Sequence, residues 1–230
     1  GHKAVHGPFP PASRHRDLYR TEPIPYRPNV KDELKGKPVL HRAQEIWKKR
    51  RQAVLSSTGR ESLIRDQLRG LMAVDESLGE ILKTLEARGQ LDNTLVIFTS
   101  DNGYFWGEHG LGDKRFAYEE SVRIPLVMRY PALIRPGSRF SEMVLNIDIA
   151  PAVLELAGVR PPRRLHGHSL VPLWRGSKKR WRQSFLVEYF MEDRYPHAPT
   201  WQAVRTGRWK YIHYTELTEM DELYDLHADP

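Results

Sequence analysis

The densest chemistry in the chain lies in four consecutive residues, Ser100-Asp101-Asn102-Gly103. They directly follow the apolar, β-branched run Thr94-Leu95-Val96-Ile97-Phe98-Thr99, and in α/β sheets ligands bind beyond the carboxyl ends of the strands. Asp101 and Asn102 present adjacent oxygen donors, and Gly103 lets the backbone turn away sharply. Oxygen-only donors favour a hard cation, Ca²⁺ or Mg²⁺, over zinc. The same tetrad also fits an Asx turn, because Asn-Gly is a common turn dipeptide. Further on, Gly107-Glu108-His109-Gly110 and Gly112-Asp113-Lys114 form a glycine-rich polar loop that returns to Tyr118-Glu119-Glu120-Ser121. A strand-end loop so rich in ionisable groups can hold a charged ligand, and Lys114 can neutralise negative charge on an oxyanion or leaving oxygen; alone it also reads as a surface lysine. His6, in His6-Gly7-Pro8-Phe9, has the chemistry to bind an anion or serve as a general acid near neutral pH. His2 stands four residues before it, but the extended, Pro-rich context disfavours a helical two-histidine metal site. His166-Gly167-His168 is a further possible ligand pair, with a turn as the simpler reading.

These residues need elements to position them. From Gly7 to Pro38 the sequence is rich in Pro and Arg and has no sustained period, so it predicts a long irregular excursion. Residues 41–52 are polar and basic (His41, Lys48, Lys49, Arg50, Arg51) and read as a solvated helix or loop. From Arg60 to Arg88, Ile64, Leu68, Leu71, Leu78, Leu82 and Leu85 recur mostly at helical spacing, with Gly89 as the stop. The link Gln90-Leu91-Asp92-Asn93 then leads into the Thr94–Thr99 run, which predicts a strand buried on both faces of a parallel or mixed sheet. A second buried strand is expected at Ile124–Arg129, followed by the Pro131–Gly137 turn. A short helix is expected over Asn146–Ala157, with Pro151 in its first turn and Gly158 closing it. Phe185–Tyr189, Ala203–Arg205, Trp209–Tyr214 and Glu222–Leu226 read as short antiparallel strands.

Composition narrows the class. Of 230 residues, 40% are hydrophobic and 28% charged, enough for a packed core and unlike a disordered chain or coiled coil. No run approaches the ~18 apolar residues of a membrane span. The absence of cysteine excludes a disulfide framework, a cysteine zinc site and a thiol nucleophile. Thirty-six Lys and Arg against 29 Asp and Glu give a formal charge of +7. That suits an acidic partner such as nucleic acid, a phosphate ester or a sulfated glycan, or is simply a basic surface. The chain opens Gly-His-Lys without a methionine and closes just after an apparent strand, which predicts a piece of a longer chain.

The ordered set His6-Gly-Pro-Phe, the strand ending in Ser-Asp-Asn-Gly103, Gly-Glu-His-Gly…Lys114…Tyr118-Glu-Glu-Ser…Arg123-Ile-Pro-Leu, Asn146-Ile-Asp-Ile-Ala-Pro…Leu-Ala-Gly158 and the final Glu-Leu-Tyr-Asp-Leu…Asp-Pro resembles the second half of a formylglycine-dependent sulfatase of the alkaline phosphatase superfamily. Within that family it is most similar to bacterial enzymes acting on sulfated amino sugars. The resemblance implies an α/β fold: the second part of an alkaline-phosphatase-like α/β/α sandwich over residues 1–173, and a small, truncated C-terminal antiparallel sheet subdomain over 174–230. It implies that Asp101 and Asn102 are one pair of ligands to a metal, usually Ca²⁺ or else Mg²⁺. By the same match, His6 contacts the sulfate, Lys114 contacts the sulfate and the leaving-group oxygen, and His109 lies in the loop lining the substrate pocket. In the family a hydrated formylglycine aldehyde attacks sulfur, the alcohol departs, and the sulfate leaves by elimination.

The family's nucleophile comes from a Cys- or Ser-containing Cys-x-Pro-Ser-Arg-like motif, which this sequence lacks. Ser56-Ser57-Thr58-Gly59-Arg60 has no proline, and Pro11-Ala12-Ser13-Arg14 has neither Ser nor Cys at the nucleophile position. The expectation is therefore a sulfuric ester hydrolase fragment, inactive alone, acting in its parent on sulfated carbohydrate or aryl sulfate, including glycosaminoglycan units. No nucleic-acid partner or membrane span is expected, and a periplasmic or secreted location is implied by the family. A phosphodiesterase or phosphonate monoester hydrolase of the same superfamily, or a non-catalytic anion- or glycan-binding module, remains open on the residues alone.

Overall fold

The computed structural model describes residues 2–7, 9–25, 27–46, 56–160, 162, 164–177 and 181–228. Lys48–Arg51 of the basic run lie outside the described residues, as do Pro8 and Pro230. The N-terminal excursion is irregular as predicted, broken by single 3₁₀ turns at Ser13–His15 and Pro28–Lys31. Helix α1 (Pro38–Ile46) follows. It is not a wholly solvated element: Val39, Leu40 and Ala43 are buried, together with Leu34 before it. The pattern was hidden because the basic residues after it dominate the composition.

Helix α2 spans Ser57–Ala87. Ser56, one of the serines tested above as a nucleophile, is its N-cap and accepts a hydrogen bond from the Gly59 N–H at 3.2 Å. The helix stops at Gly89 (φ +63), where Gly89 N donates to Glu86 O and Gln90 N to Leu85 O. This is a Schellman closure, whose left-handed residue is tolerated by glycine. Ile64 is buried, but Leu71 of the predicted stripe is 39% exposed. Gln67 and Arg60 are buried in this helix instead.

Strand β1 (Val96–Thr99) pairs antiparallel with β4 (Leu126–Arg129), in the register Ile97↔Met128 and Phe98↔Val127. This corrects the expected strand buried on both faces: Val96–Phe98 are only half-buried, Thr99 is exposed, and the described residues contain no parallel pair. Each of these two strands has only the other as ladder partner among the described residues. An apolar run reports the burial a strand is built for, and it cannot name the strands alongside. Between them lie the two-residue strands β2 (Phe105–Trp106) and β3 (Gly112–Asp113), paired with each other, and one helical turn, α3 (Glu119–Val122). Asn146–Asp148 form a 3₁₀ turn leading into α4 (Ile149–Leu156), and α5 (Val171–Trp174) follows.

The C-terminal sheet is an antiparallel meander of β5 (Ser184–Tyr189), β6 (Trp201–Thr206), β7 (Trp209–Tyr214) and β8 (Glu222–Asp225), close to the predicted strands. Trp201, Ala203, Ile212 and Tyr214 on its inner face share one core with Leu40, Phe105, Leu111 and Phe116. Alternation along β6 and β7 puts every second side chain into that core.

A buried ion pair ties α4 to the segment before β5. Asp148, fully buried, receives two hydrogen bonds from the Arg182 guanidinium and one each from the Leu145 and His168 N–H groups. The His166-Gly167-His168 pair is part of this junction: a side chain on Gly167 would overlap the Ile147 carbonyl. Burial alone would raise the Asp148 carboxyl, but Arg182 and the two N–H donors outweigh it and hold it below the usual carboxylate range. The stability it contributes is therefore present above about pH 4, the ordinary unfolded value, and is lost as pH falls through the lower folded value. Asp148→Ala, measured by chemical denaturation at pH 7, should cost about 3–5 kcal/mol because the Arg182 charge is left buried without a carboxylate. Asp148→Asn should weaken the acid limb of the stability–pH curve.

Candidate active site

The Asp101-Asn102 turn and the lysine loop are both held by one residue of α3. Gly103 N donates to Ser121 O at 2.8 Å, so the Ser100–Gly103 segment rests directly on α3. A Cβ at Gly103 would overlap the Glu120 carbonyl oxygen, so only glycine fits at this approach. Ser121, itself buried, sends its hydroxyl to the Lys114 carbonyl oxygen. One residue thus holds both the Asp101-Asn102 turn and the lysine loop. The residues around His6 pack elsewhere: Val5 lies against Gly70 of α2, and Phe9 meets Tyr104 edge-on with ring centroids 6.4 Å apart.

Asp101 is exposed, and its Oδ1 accepts the Asn102 N–H at 3.0 Å, an Asx-type contact. Its Oδ2 accepts no hydrogen bond and no ion pair among the described residues. Asn102 Nδ2 donates to Gly103 O at 2.8 Å, which fixes the amide's orientation and leaves its Oδ1 without a protein donor among the described residues. Turn and ligand readings are therefore compatible: the turn uses one face of the pair and presents two oxygens on the other. Such oxygens fit a hard cation, but they are two donors only. Among the described residues no group of three or more His, Cys, Asp and Glu could hold a metal ion.

Lys114 is half-buried and forms no ion pair among the described residues. His6 is exposed, its Nδ1 donating to Gly7 O at 2.9 Å, which leaves Nε2 facing outward for a ligand. His109 sits differently. Its Nδ1 lies 2.7 Å from Asp32 Oδ2, its Nε2 3.5 Å from Asn29 Nδ2, and its ring 4.8 Å from that of Tyr118. Asn29 in turn donates to Glu120 at 2.7 Å. Burial raises the Asp32 carboxyl, but His109, the Leu34 N–H and Lys37 together bring it below its ordinary value. His109 and Asp113 both adopt left-handed backbone, φ 53 and 77, at a cost of roughly 1–2 kcal/mol each for a residue with a Cβ. The side-chain bonds His109–Asp32 and Asp113–Arg115 anchor these two strained positions.

Sequence reasoning missed Asn29 and Asp32, which lie in the irregular excursion, and Arg115, whose partners lie far along the chain. It also missed how α3 is held. Tyr118 donates to buried Glu222 at 2.7 Å, and Glu222 accepts Tyr214 and Tyr224 as well. Glu119 pairs with Lys210 and Arg205 of the C-terminal sheet, and Lys210 also donates to Ala117 O at 3.0 Å. Burial pushes the Tyr118 and Tyr214 hydroxyls well up and raises the Glu222 carboxyl, so the phenols remain protonated donors at neutral pH.

Comparison with known proteins places the chain in a family. The sulfatase family model matches residues 4–159, and the model described as N-sulphoglucosamine sulphohydrolase, C-terminal, matches 107–230. The chain belongs to the sulfatase family. It is 38% identical over 203 residues to an N-acetylglucosamine-6-O-sulfatase of Bacteroides thetaiotaomicron, covering 87% of this chain and 34% of that protein. It is 37% identical over 131 residues to the extracellular sulfatase SULF-1 homolog of Drosophila melanogaster, 55% of this chain and 12% of that one. The solved structure of BT4656 in complex with its substrate D-glucosamine-2-N,6-O-disulfate superimposes with a TM-score of 0.87 at 29% identity, over 99% of this chain and 58% of that chain. The chain thus spans about a third of the first relative's length. The fold is that of the second part of an alkaline-phosphatase-like α/β/α sandwich with a C-terminal antiparallel sheet, as the resemblance implied. Gly103→Ala should break the Gly103–Ser121 contact and lower the melting temperature by several degrees, equivalent to about 1–3 kcal/mol, while Gly79→Ala, where a Cβ meets nothing within 4 Å, should not.

Proposed function

We propose that this chain is the sulfate-ester side of a sulfatase active site whose nucleophile is a formylglycine on the preceding part of the parent protein. Residues 1–173 form part of the sandwich domain in this reading, and 174–230 the C-terminal subdomain. The observation that carries it is the pair of oxygens left without protein donors on Asp101 and Asn102, held through Ser121 to the loop bearing Lys114.

Asp101 and Asn102 would hold one side of a Ca²⁺ or Mg²⁺ ion, the remaining donors coming from the rest of the parent. When bound, such a cation supplies Lewis-acid polarisation of the sulfate oxygens. The formylglycine supplies the nucleophile. The work of this chain is to bind and orient the ester: His6 holds a sulfate oxygen or gives a proton to the departing alcohol oxygen, and Lys114 neutralises charge there as the S–O bond breaks. His109 borders the pocket, its ring fixed by Asp32 so that the loop keeps its course. Related proteins named for N-acetylglucosamine 6-sulfate, and the neighbour's disulfated glucosamine, support a sulfated amino sugar as substrate. Relatives named as extracellular sulfatases support a periplasmic or secreted location; among the described residues no helix is long and apolar enough to cross a membrane.

The 230-residue chain alone should show no turnover of 4-nitrocatechol sulfate and, by calorimetry, a Ca²⁺ Kd weaker than roughly 1 mM, since two donors make a poor site. Joined to its nucleophile-bearing segment it should hydrolyse glucosamine 6-sulfate. There, Asp101→Ala or Lys114→Ala should lower kcat by about 10²–10³-fold. Turnover by the isolated chain, or faster hydrolysis of a phosphonate monoester than of the sulfate by the joined protein, would overturn the reading.

A further inference from the structure

Lys114 is followed by two residues held from outside its own loop. On its C-terminal side, the Arg115 guanidinium pairs with Asp113 and with Glu192 Oε1 at 3.0 Å, and lies 3.3 Å from the ring centroid of Tyr195. Trp201 Nε1 donates to the Arg115 carbonyl at 2.9 Å, and Tyr189 stacks on Trp201. Glu192 and Tyr195 belong to the connection between β5 and β6, Trp201 to the start of β6. Phe116, one residue further, packs near His197 of the same connection, with ring centroids 6.5 Å apart. The C-terminal sheet therefore reaches over the lysine loop and grips the residues around Lys114 without pairing to Lys114 itself at ion-pair distance.

We infer that Glu192 and Tyr195 are positioning residues for Lys114: together they hold the Arg115 guanidinium, and through it the backbone that aims the lysine at the leaving oxygen. Arginine suits this place because its planar fork serves two carboxylates while its face stacks on an aromatic ring. Asp113 stays in its left-handed conformation because Arg115 holds its carboxylate, and Arg115 stays in place because Glu192 and Tyr195 hold it from the far side. Loss of either outer contact would free the guanidinium and let the Asp113–Arg115 segment relax, displacing Lys114 without removing any group that touches substrate. The inference rests on the reading of Lys114 as the residue that stabilises the departing oxygen.

A lysine in that role matters most when the leaving alcohol is a poor one, and this gives a readout that simple loss of folded protein does not share. In the active protein carrying its nucleophile segment, kcat is measured on an aryl sulfate with a good leaving group and on an alkyl or sugar sulfate with a poor one. Lys114→Ala sets the reference, with a loss larger on the poor leaving group. Glu192→Gln and Tyr195→Leu should follow the same pattern, losing about ten- to a hundredfold on the sugar sulfate and under threefold on the aryl sulfate, with KM little changed. Tyr195→Phe keeps the ring and should match the parent. Equal losses on both substrates for Glu192→Gln and Tyr195→Leu, or no loss, overturn the positioning role while leaving that of Lys114 intact. Equal losses for Lys114→Ala itself overturn the lysine's assignment and, with it, the reason for the clamp.

Discussion

The arrangement of the candidate site depends on α3 and the residue that caps it, for Tyr118, Glu119, Glu120 and Ser121 are each bonded to a distant part of the chain. Tyr118 donates to Glu222, Glu119 receives Lys210 and Arg205, Glu120 receives Asn29, and Ser121 holds both the Gly103 N–H and the Lys114 carbonyl. A four-residue helical turn has no stability of its own. It persists because its polar groups are satisfied from outside, in a place where an unpaired buried group would cost about 1–3 kcal/mol. The bonds that keep the turn folded are the same ones that set the Asp101-Asn102 turn and Lys114 relative to each other.

The C-terminal sheet has two parts in this. Its inner face completes the core around Phe105, Leu111 and Phe116, which fixes the distance between sheet and site. Its polar residues then fix the orientation. The buried Glu222 is tolerable because three phenolic hydroxyls surround it, and Lys210 because it meets both Glu119 and the Ala117 carbonyl. Burial lowers the Lys210 amine, while Glu119 opposes this. Such polar contacts make one docking geometry much better satisfied than its neighbours.

Much of the fold can be read from local pattern. The Thr94–Thr99 run, the glycine that stops α2, the helix beginning at Asn146 and the four C-terminal strands are each decided within a few residues, by β-branching, helix capping and alternation. Burial is harder to read. β1 looks like a strand buried on both faces and is only half-buried, while Ala43 lies in a run that looks solvated and is core. His109 looks like a free pocket histidine until Asp32, 77 residues earlier, is found beside it.

By itself, then, the sequence determined the residues with chemistry and their family: Asp101 and Asn102 at a strand end, Lys114 in a glycine-rich loop, His6 in an extended segment. The residues rest on type and short-range spacing, and the family on the resemblance of the ordered motifs along the chain, both of which the chain carries wherever it folds. Only the tertiary structure decided that Ser121 joins the Asp101-Asn102 turn to the lysine loop, that Asp32 and Asn29 engage His109, and that Glu192 and Tyr195 grip Arg115. Each of these contacts pairs groups tens of residues apart, or is set by a turn's direction. Hydrogen-bond and stacking geometry depends on tenths of an ångström that the folded core sets and that no local spacing encodes.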